Sequence, residues 1–219
     1  MLLSIILILC LRAGALCAVP PADPARWDKD LAAFAKEDAA EAVPEKAYLF
    51  VGSSSVRLWT NLAETFPQWP VRRRGFGGSH LSDLNALFEP LVLKYRPARI
   101  FVYAGENDIS AGRSPEQVYA DFKTFHGKVR TQLPGTEIFF LSMKPSPSRW
   151  HLSPQISEAN GRIKRYARGQ RRVTYIDLGK PLLGEDGRPD AQWFKKDNLH
   201  LNDRGYERWA RAIRAAVKN

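Results

Sequence analysis

The chain is short of cysteine, of long apolar runs and of acidic charge. Only two of its 219 residues are cysteines. Both lie near the N-terminus, at Cys10 and Cys17, so no disulfide framework can staple the fold. Neither these two nor the four histidines fall at metal-ligand spacing, and no metal is expected. The glycine spacing of a dinucleotide fingerprint is missing as well. The main apolar stretch, residues 2–11, is half of the roughly 20 residues that span a bilayer, so stable membrane insertion is not expected. Asp and Glu number 23 against 33 Lys and Arg, a formal charge of +10. That excess permits an acidic partner without naming one. A hydrophobic fraction of 44% and a charged fraction of 26% exclude a disordered chain.

The apolar stretch is followed by Ala13-Gly14-Ala15-Leu16-Cys17-Ala18. This pattern reads as a secretory signal cleaved near Cys17 or Ala18, giving a secreted or periplasmic protein. Arg12 stands after the run rather than before it. A lipid anchor on Cys17 is the weaker reading, because Leu16 is large where such signals carry a small residue. A buried N-terminal strand is a further alternative. The division expected is residues 1–18 as signal, 19–46 as linker and a packing helix, and 47–219 as one functional domain. Asp23 and Pro24 mark the start of that helix, whose buried face carries Trp27, Leu31 and Phe34.

Five short apolar runs follow, at 48–51, 71–76, 100–104, 138–141 and 173–176, rich in Val, Ile, Phe and Tyr. Helical patterns alternate with them. Ser114-Pro115 and Ser153-Pro154 each signal a helix start, and the last helix begins near Asn202 and buries Tyr206, Trp209, Ala210, Ile213 and Val217. Strand and helix in alternation predict a parallel sheet with helices on both faces. In such sheets ligands bind beyond the carboxyl ends of the strands.

Four segments at those ends carry chemistry. Gly52-Ser53-Ser54-Ser55 suits an exposed serine hydroxyl at a helix start, and equally a serine-rich cap. Gly75-Phe76-Gly77-Gly78-Ser79-His80 frees backbone N–H groups for a ligand, or forms a flexible turn. Gly105-Glu106-Asn107-Asp108 offers an amide to a developing negative charge, or caps a turn. Asp197-Asn198-Leu199-His200 lets a carboxylate fold back on one imidazole nitrogen and leave the other as a base. Alone, each admits the plain structural reading.

Taken in order, the four blocks resemble the SGNH hydrolases, the GDSL esterase/lipase superfamily. The likeness runs from Tyr48 to the last helix, and is nearest to a branch that also carries Lys144-Pro145-Ser146-Pro147-Ser148-Arg149-Trp150. It implies a three-layer α/β/α sandwich with a five-stranded parallel sheet, flavodoxin-like in connectivity, and no cofactor. It implies Ser54 as nucleophile, His200 as general base and Asp197 as its orienting carboxylate. Gly78, Asn107 and the N–H of Ser54 would form the oxyanion hole. Two positions depart from the family pattern: Ser53 stands where an acid is usual, and Arg73 where Asn is frequent. Arg73 either adds charge near the site or faces solvent.

The activity expected is hydrolysis of small acyl or acetyl esters, on a small molecule, carbohydrate or lipid. The alternatives are a lysophospholipase or acyltransferase using the same residues, and a lapsed module binding an anionic polymer. A nucleic-acid partner is not expected, because that role would need base-reading or stacking elements and a secretory signal argues against access. His126 reads as structural or exposed. His80 and His151 are placed where they can border a pocket or lie in surface turns. Trp59 and Trp193 suit core packing better than a substrate wall, and the Arg72-Arg73-Arg74 run and the arginines of the last helix read as solvated faces. Oligomeric state is left open by the sequence.

Overall fold

Parallel strands covered on both faces require residues that are apolar on both sides, and that pattern sets the order of this chain. The computed structural model describes residues 24–217. The proposed signal, the linker and Asp23 lie outside the described residues. In chain order the elements are α1 (Asp28–Ala40), β1 (Tyr48–Gly52), α2 (Ser54–Arg57), α3 (Leu62–Thr65), β2 (Val71–Gly75), α4 (Leu81–Ala86) and α5 (Phe88–Leu91). Then come β3 (Arg99–Tyr103), α6 (Glu106–Ser110), α7 (Pro115–Gln132), β4 (Glu137–Leu141), α8 (Ser153–Arg168), β5 (Val173–Ile176) and α9 (Asp203–Ala216). The sheet is all parallel in the order β2-β1-β3-β4-β5.

Alternate residues of each strand enter different cores. Leu49, Val51, Ile100 and Val102 meet α4, α5, α7 and α8 on one face, whereas Phe50, Phe101 and Tyr103 meet α2, α3 and α9 on the other. The second core is aromatic. Phe50, Phe101 and Phe139 form a stack across three strands, with centroids 4.3 and 4.8 Å apart. Such offset contacts add to the burial of their area. The expected three-layer α/β/α sandwich with flavodoxin-like strand order is the observed fold.

Helix starts follow local chemistry. At α7, the Ser114 hydroxyl accepts from the Gln117 N–H and the Gln117 side chain accepts from the Ser114 N–H, a reciprocal cap. Ser153 makes no such cap. The chain enters α8 from a 3-10 turn, Pro147–Leu152, so Ser153 is already helical. Asn202 caps α9 by accepting from Gly205 N–H at 3.0 Å.

The arginine run at 72–74 departs from the expected solvated face. Because β2 is an edge strand, its alternation turns Arg72 and Arg74 inward, and both are buried. Arg74 donates to the Tyr95 hydroxyl at 2.6 Å, to Glu37 at 2.8 Å and to Asp38. Arg72 donates to the carbonyls of Glu41 and Ala42 at 3.1 and 3.0 Å. Burial raises the proton affinity of Asp38, but Lys94, Tyr95 and Arg74 together hold its carboxyl below the usual range. These contacts fasten α1 beside β2, where an uncovered edge would offer unpaired backbone groups. Arg73 points the other way and donates to the Arg57 carbonyl. Trp27 is buried, with Leu31 and Phe34 packed partly against the core, as the N-terminal pattern predicts. Replacing Arg74 with Ala removes its bonds to Glu37, Asp38 and Tyr95 and leaves the Asp38 carboxylate with Lys94 and Tyr95. It is expected to lower unfolding stability by about 2 kcal/mol, measured by urea denaturation; a loss below about 0.5 kcal/mol contradicts the clamp.

Candidate active site

The parallel register brings Gly52 level with Gly75 on one neighbour and Tyr103 on the other. At Gly52 φ is +147°, and a Cβ there would fall 1.9 Å from the Tyr103 carbonyl oxygen. Only glycine fits. The chain then reverses: Ser53 N–H donates to that same carbonyl at 3.0 Å, and Ser54 opens α2. The Ser54 hydroxyl lies 3.0 Å from His200 Nε2, across 146 residues of sequence.

His200 is aimed by a tight turn. Asn198 adopts the left-handed region, φ +54°, which lets the chain fold back so that Lys195 N–H meets the His200 carbonyl at 2.7 Å. Asp197 Oδ1 accepts from the Leu199 and His200 N–H groups, both at 2.9 Å, and Oδ2 lies 2.7 Å from His200 Nδ1. Partial burial raises the proton affinity of this carboxyl, but the His200 ring and the two amides outweigh it and hold it at about 2. An ionised Asp197 selects the tautomer with its proton on Nδ1, leaving Nε2 to accept from Ser54.

The glycine loop and α6 complete the arrangement. Gly78 is exposed with φ +82°, and nothing lies within 4 Å of where its Cβ would be. Among the described residues, the N–H groups of Ser54 and Gly78 have no hydrogen-bond partner. The Asn107 amide donates to the Ser79 carbonyl at 3.1 Å, tying α6 to the loop. Asp108 adds a second tie, accepting from Leu81 N–H at 3.2 and 3.3 Å. Ser53, where an acid is usual, is buried in the turn ahead of α2.

Three charged residues in this region went without an assigned role in the sequence. Arg149 donates to Asn107 Oδ1 at 3.1 Å and to Glu106 at 3.2 Å, and Lys144 is paired with Glu106 at 2.8 Å. Charges placed at the ends of buried strands are the signal that marked them. The histidines other than His200 are elsewhere: His80 precedes α4, where its N–H donates to Asp83 at 2.8 Å, and His126 is buried against the Tyr166 hydroxyl at 2.9 Å. His151 is exposed in the turn before α8. Trp59 packs on Tyr206, and Trp193 lies beneath Arg208 and Arg204, with ring-centroid distances of 3.7 and 4.9 Å to the two guanidiniums. Among the described residues no cluster of His, Cys, Asp and Glu is arranged to hold a metal, and no helix is long and apolar enough to cross a membrane.

Residues 47–208 match the family model of the GDSL-like lipases and acylhydrolases, and the chain belongs to that family. Among solved structures, a GDSL-like lipase from Bacteroides thetaiotaomicron is 22% identical. The match covers 85% of this chain and 96% of that one, with a TM-score of 0.73. An acetylxylan esterase from Geobacillus stearothermophilus is 14% identical, with 78% and 93% covered and a TM-score of 0.63. No protein of curated function matches the sequence.

Asp108 generates a pH prediction. Burial, only partly offset by the Leu81 N–H and Arg113, pushes its carboxyl up to about 7. The folded state therefore holds the proton more tightly than the unfolded chain. Its contribution is most favourable below the ordinary value of 3.8 and declines as pH rises to about 7. Asp108→Asn keeps an acceptor for Leu81 and removes the titration. Between about pH 4 and 7 the wild type should lose roughly 3–4 kcal/mol relative to the variant, read from urea unfolding at each pH. Parallel pH curves for the two proteins would contradict this.

Proposed function

We propose that the protein is a serine carboxylic ester hydrolase acting on small acyl or acetyl esters. The observation that carries this reading is the unbroken hydrogen-bonded line from Asp197 through His200 to Ser54, with spacings of 2.7 and 3.0 Å. A serine hydroxyl is a weak nucleophile until a base removes its proton as it attacks. On this reading Ser54 Oγ attacks the acyl carbon while its proton passes to His200 Nε2. The carbonyl π electrons move to oxygen, giving a tetrahedral oxyanion. Asp197, ionised throughout, balances the imidazolium. The Ser54 and Gly78 N–H groups and the free hydrogen of the Asn107 amide are the donors available to the oxyanion. Collapse expels the alcohol, which takes its proton from His200. Water, deprotonated by the same nitrogen, then hydrolyses the acyl-enzyme and restores Ser54.

The preference for short acyl groups rests on family membership together with the fold likeness to an acetylxylan esterase. An intact Ser-His-Asp line also disfavours a lapsed binding module, which has no use for a hydroxyl aimed at a base. With p-nitrophenyl esters from acetate to palmitate, turnover should be fastest at the short end. Ser54→Ala should abolish it, and Asn107→Ala should lower kcat by about 10²–10³-fold while leaving measurable activity. Wild-type rates in Ser54→Ala would overturn the assignment. Because the Asp197 carboxyl is held at about 2, its protonation should cause no loss of kcat/KM between about pH 4 and 7, read from a pH–rate profile. An acid limb attributable to Asp197 within that range would contradict the arrangement.

A further inference from the structure

The loop after β4, Lys144-Pro145-Ser146-Pro147-Ser148-Arg149-Trp150, takes no part in the chemistry above, yet it touches two of the segments that do. Ser148 N–H donates to the Asn198 carbonyl at 3.1 Å, inside the turn that aims His200. From the same loop, Arg149 Nη1 reaches Asn107 Oδ1 at 3.1 Å and Glu106 Oε1 at 3.2 Å.

A carboxamide has two donors on nitrogen and an acceptor oxygen, and its two faces interchange by a simple flip. For Asn107 both ends are claimed. One amide hydrogen goes to the Ser79 carbonyl at 3.1 Å, and the oxygen goes to Arg149. A flipped Asn107 would set its oxygen against the Ser79 carbonyl and its NH₂ against a guanidinium, two repulsive contacts at once. The second amide hydrogen is thereby held in a defined direction.

Arg149 is itself held. Glu106 is buried with three donors converging on it: the Tyr103 hydroxyl at 2.6 Å, Lys144 Nζ at 2.8 Å and Arg149. Burial raises the proton affinity of Glu106, but Lys144 foremost outweighs it, so the carboxylate stays charged. Burial and the neighbouring Glu106 keep the Tyr103 phenol protonated, well above its usual range. Lys144, itself buried, neutralises one side of Glu106 and leaves the other oxygen to fix the guanidinium.

We propose that Arg149 is a positioning residue for the oxyanion hole: it locks the Asn107 carboxamide with its N–H toward the reacting oxygen, and the buried Tyr103–Glu106–Lys144 network locks Arg149. This rests on the ester-hydrolase reading and goes beyond it, giving a role to a loop that the Ser-His-Asp line leaves unused.

A double-mutant cycle on p-nitrophenyl acetate tests it, with wild type, Arg149→Ala, Asn107→Ala, the double variant and Ser54→Ala assayed together. Misplacing an oriented catalytic group slows turnover by about 10–100-fold. Arg149→Ala should lower kcat by about that much, with KM within about twofold and the pH profile of kcat/KM unmoved. In the Asn107→Ala background the same change should have almost no further effect, because the group that Arg149 positions is gone. Arg149→Lys, able to reach one partner, should fall between Ala and wild type.

Independent, multiplicative effects of the two substitutions would overturn the proposal, as would a rise in KM with kcat intact, which would mark Arg149 as a substrate-binding group. If Arg149→Ala melts far below the wild type, Arg149→Gln and Arg149→Lys replace it in the same cycle with the same expected non-additivity. Failure of the underlying reading shows separately, as a wild-type rate that does not depend on Ser54.

Discussion

Close approach of β1 to β3 at the level of Gly52 is the constraint on which the site depends. The missing side chain at Gly52 lets the chain turn directly over the Tyr103 carbonyl, and Ser53 N–H then uses that carbonyl as its partner. Ser54 is therefore set by the backbone of a neighbouring strand and not by a loop of its own. The same register places the segments after β2 and β3 alongside it. Asn107 and Asp108 then join those two segments through Ser79 and Leu81. The last helix adds a further tie, since Tyr206 OH donates to the Ser55 carbonyl at 2.9 Å. His200 and Ser54 are thus supported by a common framework although they are distant in sequence.

Buried charge does two separate jobs in this molecule. On one edge, Arg72 and Arg74 join α1 to β2 far from the chemistry. Beneath the site, Glu106 gathers Tyr103, Lys144 and Arg149 into one network. A buried ion pair is weak grounds for stability, because desolvation offsets the attraction. What such a network gives is direction, since a carboxylate with three fixed donors admits few arrangements. Part of the basic excess is thereby accounted for inside the structure. Arg204 and Arg208 lie over Trp193, so some of the arginines of α9 also cover an aromatic ring and do not form an open charged face.

Much of this was legible in the sequence, for identifiable reasons. The strands at 48–52, 99–103 and 137–141 announce themselves because both faces are buried and nearly every residue is apolar. The line from Asp197 to Ser54 was legible because the motifs that supply it are local turns, each with its own glycine or Asx chemistry. Arginines in β2 misled because charge is read as exposure; on an edge strand, a helix carrying Glu37 and Asp38 supplies partners that no local pattern reveals. Ser153-Pro154 marked the start of α8 correctly, although the helix is entered from a 3-10 turn and Ser153 supplies no cap. The link from Arg149 to Asn107 spans 42 residues, and only the packing of the loop after β4 against α6 discloses it.

The central claim is that Ser54 is the residue made reactive by His200 and Asp197. A fluorophosphonate, which reacts with an activated serine hydroxyl and mimics the tetrahedral adduct, tests this directly when the labelled protein is digested and the modified peptide sequenced by mass spectrometry. The account predicts a single adduct on Ser54, with Ser53 and Ser55 unmodified and labelling lost in His200→Ala. An adduct on another serine, or equal labelling without His200, would contradict it.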